Sequence, residues 1–392
     1  MSLMTNGWRD EKYFALYTFA ALIILLNCWL FKMNVWLMLF YQQQFGLMHT
    51  CTVSSIVSGI KPFVNAVVIA LFIMNISAHY RLVNTVDTVD LCFRAAFHTT
   101  PPIRLYSLIF FFVSFAFFLG TFALFCVEFI SFGSSLGTAA DASFLIVPML
   151  SLWNIVPLLY YDMYNRIVRF YCRVLISSLD KEHHKRHFSL KFYYEQFLRI
   201  TNVQEAIGAL FNPFVFFSLA WSMAILCLTI YFLTQPASTL VDPISPEFHK
   251  KPGMVELLNK KVAFALGWSL IQVIVAALNI LVICSAGMQT NETTREIVDH
   301  VLRIVPDANA DLDRFQISCF VHKMTTQFMW GMTVWRAFLL QRTTFFTLVS
   351  VIITYAFLLL KLKENPDLSP RTFPYHTITN HTMATVATTM MP

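Results

Sequence analysis

The hydrophobic residues of this chain fall into long, nearly uninterrupted blocks separated by polar segments. Seven blocks stand out, at about 13–31, 53–78, 105–130, 142–161, 210–234, 262–287 and 343–362. Each is comparable to the ~20 residues that a helix needs to cross a ~30 Å hydrocarbon layer. Lys61-Pro62 interrupts the second block, and an apolar piece at 33–48 is too short to span, so it reads as an extension of the first helix. The pattern predicts an all-α, polytopic membrane protein with seven transmembrane helices. No internal repeat is visible, which argues against a transporter assembled from paired halves.

The polar segments set the orientation. The N-terminal segment together with 79–104, 162–208 and 288–342 carries 19 of the 28 Lys and Arg residues. Positive charge stays on the cytosolic side, so the N-terminus is expected in the cytosol and the C-terminus outside, the reverse of a G-protein-coupled receptor. Asn380-His381-Thr382 is a glycosylation sequon usable only on that exterior side, whereas Asn75-Ile76-Ser77 and Asn291-Glu292-Thr293 fall where none is expected. The chain thus divides into a cytosolic N-terminus (1–12), six helices with cytosolic extensions (13–314), a cytosolic helix (315–342), the last span (343–362) and an exterior, Thr- and Pro-rich tail (363–392).

Two cytosolic stretches have more pattern than a plain loop. Residues 162–208 run through Arg166, Arg169 and Arg173, a basic run KEHHKRH at 181–187, and the aromatics Phe192, Tyr193, Tyr194 and Phe197. They read as helices leaving the membrane, joined by a basic link that is either solvated or a surface for anionic headgroups. In 315–339, Ile317, Phe320, Val321, Met324, Phe328 and Trp335 share one face at helical spacing, while His322, Lys323, Gln327 and Arg336 add polarity. Such a helix suits burial against other helices better than lipid.

Composition narrows the class. With 57% hydrophobic residues, 13% charged and 39 Phe, a soluble fold has too little polar surface to cover its apolar side chains. The start, MSLMTNGWRDEKYF, lacks the features of a cleaved signal peptide, so the first span is expected to remain. The net charge of +6 fits basic cytosolic loops and does not call for nucleic acid. The eight cysteines are scattered without a CxxC, and Cys51 at most could enter an exterior disulfide. No metal site, no cofactor and no enzymatic activity is expected: HExxH, Gly-x-Ser-x-Gly, a Walker loop and clustered carboxylates are all missing from the sequence.

The last block carries a specific signal. Thr343 to Leu360 is uncharged, and near its end Thr354-Tyr355 precedes five apolar residues and then Lys361-Leu362. This resembles the C-terminal signature of the insect-type gustatory and odorant receptor superfamily, Thr-Tyr, five hydrophobic residues and Gln-Phe, with Lys361 and Leu362 replacing the final pair. Together with seven spans, an inside N-terminus and the helix before the last span, the chain is similar to a gustatory receptor up to about residue 363.

The resemblance implies a plasma-membrane receptor of sensory neurons. Four subunits, as a homo- or heterotetramer, would form a nonselective channel for monovalent and divalent cations within the membrane lipids, opened by a small-molecule tastant. The helix before the last span would pack in a cytosolic anchor, and the last would line the pore. Carried over by position, Leu358 is the hydrophobic constriction and Lys361 stands at the outer mouth; helical spacing adds Val351 and Thr354. A leucine ring closes a pore by dewetting. Lys361 could repel cations, lose its proton, or snorkel to the exterior headgroups, and Leu358 could instead face lipid. Ligand-pocket candidates on the outer halves of the spans are Phe122, Phe125, Phe144, Phe264 and Trp268, with Gln272 and the intramembrane carboxylate Glu128 as polar groups, although the same aromatics also serve as plain packing. The alternatives are a G-protein-coupled serpentine receptor, which would need Asp-Arg-Tyr where GSSLGTAAD follows the third span, and a light- or oxidant-sensing member of the same channel family.

Overall fold

The computed structural model describes residues 2–45, 50–132, 138–182, 189–233, 254–303, 311–326, 331–335 and 338–364, for some of these the backbone course alone. In chain order the elements are α1 (Ser2–Phe45), α2 (Thr50–Met74), α3 (Ile76–Phe97), α4 (Ile103–Phe132), α5 (Thr138–Glu182), α6 (Leu190–Leu233), α7 (Met254–Leu302), α8 (Asp311–Thr326), β1 (Thr333–Val334), β2 (Phe338–Leu339) and α9 (Arg342–Glu364).

Four helical segments among the described residues are long and apolar enough to cross a membrane: Tyr17–Trp36, Ile103–Leu124, Leu190–Ile230 and Leu270–Leu302. The pair Gly59–Met74 and Ile76–Phe97, bent by 65° at Asn75, makes a fifth if counted as one span, and Arg342–Leu358 is a shorter apolar helix. The remaining block, 142–161, lies within α5. The chain is a multi-pass membrane protein.

Helix length explains the architecture. α5, α6 and α7 have 45, 44 and 49 residues, so each runs roughly 65–75 Å, about twice the hydrocarbon thickness. Their surplus gathers on one side, where the C-terminal half of α5, the N-terminal half of α6, the C-terminal half of α7 and α3 build the main core. Phe93, Tyr171, Cys172, Leu175, Phe197, Ile200, Val203 and Ile207 are fully buried there. Apolar side chains there pack on one another across four helices rather than facing outwards. Two of the polar groups inside this core pair across helices: Gln204 donates to the Thr294 hydroxyl at 2.8 Å, and the Tyr171 hydroxyl donates to Asp90 at 3.2 Å. Burial also pushes the Cys172 thiol up to about 12, which keeps it protonated.

The membrane-level helices look different. α4 exposes Leu105, Leu108, Phe111, Phe112, Phe115 and Leu119, and α1 exposes Phe19, Leu22, Leu25 and Trp36. These are surfaces for lipid. α1 lies along α2, with Phe31 and Phe63 rings 5.2 Å apart and a small cluster of Ala20, Ile23 and Ile69 between the helices. As expected, the apolar piece after residue 33 continues the first helix, which also extends back to Ser2.

One element departs from the sequence reading. The amphipathic helix expected over 315–342 runs only to Thr326, within α8. Further on, Thr333–Val334 and Phe338–Leu339 pair as an antiparallel hairpin, with Thr333 opposite Leu339 and Val334 opposite Phe338. Gly331 at φ +107° and Trp335 at φ +45° are incompatible with a continuing helix. Thr333, Val334 and Trp335 also rank low in helix propensity and high in strand propensity. Trp335 therefore does not extend the helical stripe of Ile317 and Val321; it packs on the rings of Phe216 and Phe217 of α6 at 5.3 and 6.0 Å.

Candidate functional site

Three features converge on the last helix and the bundle beside it. The first is α9 itself. Phe345, Leu348 and Ile352 turn towards the core, and Thr343, Thr347, Ser350, Thr354, Leu358 and Lys361 are exposed on other faces. These six recur at spacings of three or four residues and so share one side of the helix. Thr347 and Thr354 donate to the carbonyls of Thr343 and Ser350 at 2.9 and 2.8 Å. That local bonding lets a hydroxyl sit on a membrane helix while its oxygen still presents lone pairs outward. Of the four positions expected to line a pore, Thr354, Leu358 and Lys361 lie on the exposed side and Val351 is half-buried at its border.

The second feature holds the start of that helix. Asn291 of α7, only 3% exposed, donates to the carbonyls of Met332 and Leu340 at 3.2 and 3.0 Å and accepts from the Met332 N–H at 2.7 Å. Its amide acts as an extra rung at the open end of the hairpin. Gly331 is obligatory beside it, because a Cβ there would stand 2.5 Å from Asn291 Oδ1 and φ is positive. One residue on, Glu292 pairs with Arg342 at 2.8 and 3.2 Å, and Thr344 donates to the Leu339 carbonyl at 2.7 Å. The extension of α7 is thereby tied to the first turn of α9. Within Asn291-Glu292-Thr293, the side chains of Asn291 and Thr293 are buried.

The third feature is a small cavity among α2, α5, α6 and α7. It measures about 10 Å³, room for about one water. Lys61 enters it from the Lys61-Pro62 step of α2, its ammonium 5.6 Å from the centroid of the Trp221 ring. Asn65, Ser218 and Asn279 add buried polar groups, Trp153 and Phe214 close the walls, and no carboxylate lines the space. The buried indole N–H of Trp221 has no partner among the described residues. A lysine inside a membrane span is costly, about 2.5–3.5 kcal/mol on an insertion scale, and such residues mark functional sites.

The comparisons match this architecture. No protein-family model matches the chain. It is 58% identical over 354 residues to the probable G-protein coupled receptor egl-47 of Caenorhabditis elegans, an alignment covering 90% of this chain and 68% of that protein. The chain belongs to the egl-47 family of receptors. Among solved structures, the insect olfactory receptor OR5 from Machilis hrabei in complex with eugenol superposes with a TM-score of 0.58 at 15% identity, covering 90% of each chain. The same receptor without the ligand superposes at 0.60 and 12% identity, covering 87% of this chain and 88% of that one. This member of the egl-47 family thus has the insect-type gustatory and odorant receptor fold, which the Thr354-Tyr355 ending resembled.

Within that fold the expected ligand residues do not form the Lys61 cavity. Phe122 stacks on Phe118 of α4 at 6.1 Å, and Gln272 is half-buried on α7; neither lines it. The side chains of Phe125, Glu128, Phe144, Phe264 and Trp268, and the whole of Asn380, lie outside the described residues. Two functional candidates, Lys61 and Asn291, are not among the residues the sequence pattern singles out. Lys61 was visible as a break in the second block, and weighing it as an intramembrane charge would have singled it out. Asn291 carried no such signal, because its partners are 41 and 49 residues away.

Proposed function

We propose that this chain is a chemoreceptor subunit of a nonselective cation channel opened by a small molecule, assembled as a homo- or heterotetramer of related subunits in the plasma membrane. Its last helices surround the pore, the chain crosses the membrane seven times, and the N-terminus is cytosolic with the C-terminus outside. The observation that carries this reading is the α9 stripe of Thr343, Thr347, Ser350 and Thr354, continued by Leu358 and Lys361 and exposed opposite the face that packs on the bundle. Four copies around an axis give those hydroxyls water, and Leu358 supplies a ring that closes by dewetting. Asn291 and the Glu292–Arg342 pair connect α7 to the foot of that helix, a route from bundle to pore. The Lys61 cavity is the seat of the ligand. Its ammonium, amides and unpartnered indole N–H suit a small compound with an acceptor oxygen and an apolar body, and the seat must open beyond about 10 Å³ to admit one. Eugenol, bound by the insect OR5 protein, is of that chemical kind.

The test is whole-cell recording of the chain expressed alone, under a panel of small phenolic and other tastant compounds. Thr354→Cys is compared with Ile353→Cys during application of a charged thiol reagent. Ligand-evoked cation current blocked at least tenfold faster in Thr354→Cys than in wild type and Ile353→Cys supports the pore stripe. Equal rates in the three forms refute it. In the same recordings Lys361→Gln should raise cation over anion permeability if four lysines ring the mouth.

A second reading has its own observation, the description of the nematode relative as a G-protein coupled receptor. A C-terminal epitope tag separates the two. Antibody staining of intact cells supports the channel orientation, and staining only after permeabilisation supports the serpentine receptor.

A further inference from the structure

A second, larger cleft of about 320 Å³ shares no lining residue with the Lys61 cavity or the α9 stripe. Arg166, Arg169 and Arg173 of α5 line it at i, i+3 and i+7, so one helix face presents three guanidinium groups. The opposing walls are Tyr106 at the start of α4 and Ser285 and Gln289 of α7. Asp162 is the one carboxylate in the lining, bonded to Arg166 at 2.6 Å and to Arg169 at 3.5 Å. Glu292, one turn beyond Gln289, is engaged by Arg342 instead. Arg169 is nine-tenths buried and also donates to Gln289, which fixes its fork in place. The cleft therefore carries two positive charges in excess.

Its level in the molecule identifies the occupant. Tyr106 at the start of block 105–130, Asp162 just after block 142–161 and Ser285 and Gln289 at the end of block 262–287 all fall on the side expected to be cytosolic, near the border between hydrocarbon and headgroups. The α4 wall continues from Tyr106 into Leu105, Leu108 and Phe112, each more than half exposed, a surface along which acyl chains can lie. Guanidinium forks match phosphate oxygens in pairs, and basic pockets between helices at the cytosolic border suit phosphorylated inositol headgroups. The volume is within the usual range of about 300–1,000 Å³ for small-ligand sites. We propose that this cleft binds the headgroup of a phosphorylated inositol lipid, with the acyl chains against α4. The proposal depends on the orientation given above for its choice of leaflet, and not on the channel activity.

The experiment uses the full-length protein purified in neutral detergent and a fluorescent dioctanoyl phosphatidylinositol 4,5-bisphosphate, read by anisotropy. Competitors are dioctanoyl phosphatidylcholine, inositol 1,4,5-trisphosphate and inorganic phosphate. Arg166→Gln and Arg173→Gln are each expected to weaken binding about tenfold, and Lys191→Gln, on α6 and outside the cleft, to leave it unchanged. Asp162→Asn removes the competing carboxylate and should tighten binding about threefold, a gain that misfolding cannot imitate. Equal affinity of wild type and the Arg166→Gln/Arg173→Gln double variant overturns the proposal, as does equal competition by phosphatidylcholine. Inositol trisphosphate or phosphate competing as well as the unlabelled lipid would assign the cleft to a soluble phosphorylated ligand and overturn the lipid. Because binding is read in detergent, failure of the channel or orientation reading leaves this result unaffected.

Discussion

Replacing Asn291 by alanine removes the rung that joins α7 to the hairpin ahead of α9. Three hydrogen bonds disappear, at 2.7, 3.0 and 3.2 Å. The Met332 carbonyl keeps the Leu340 N–H at 3.0 Å, so the groups left without a partner are the Met332 N–H and the Leu340 carbonyl. Both residues are at most 2% exposed, so water cannot replace the lost amide. Each buried backbone group left unpaired costs about 1–3 kcal/mol, which puts Asn291→Ala at roughly 2–6 kcal/mol. For a chain of this size that corresponds to a fall in apparent melting temperature of about 2–7 °C. The assay is thermal unfolding of the detergent-purified protein, followed by tryptophan fluorescence and by loss of the monodisperse peak. Asn291→Asp keeps the acceptor for Met332 but loses both donors and buries a charge, so it should be at least as destabilised. A melting temperature within 1 °C of wild type for Asn291→Ala would refute the reasoning. It would mean that Met332 and Leu340 pair directly once the amide is gone, and that Asn291 ties nothing together.

Two further substitutions test the neighbouring arguments. Gly331→Ala should destabilise by roughly 1–3 kcal/mol, because positive φ and the approach to Asn291 both oppose a side chain; the same melting assay reads it, and an unchanged value would contradict the geometry. Lys61→Met removes a membrane-embedded charge at nearly constant shape, so it should raise stability by roughly 1–3 kcal/mol while weakening the ligand response; a variant that melts lower than wild type would mean that Lys61 is satisfied structurally rather than held for a ligand.

How much of this was legible beforehand follows from the range of each interaction. The hydrophobic blocks, the polar helical extensions around Arg166 and Tyr193, and the Thr354-Tyr355 ending are local in sequence. Lipid solvent imposes a length and a composition that each block shows by itself. The helix expected through Trp335 failed because periodicity over 315–339 is compatible with a helix, while Gly331 and the low-propensity run after it end one. What replaces the helix is decided by tertiary contact: a two-residue hairpin survives because Asn291 completes its ladder and α6 receives Trp335.

The same division holds for the sites. The sequence by itself determined the membrane class, the approximate spans, and which side of the last helix carries hydroxyls, since all of these depend on hydropathy and helical spacing. Only the tertiary structure decided which face of α9 the bundle covers, that Lys61 meets Trp221 across two helices, and that three arginines of one helix face Gln289 of another. The Lys61–Trp221 and Arg169–Gln289 pairings join residues 160 and 120 positions apart, and no periodicity along one segment specifies which distant segment will supply the partner.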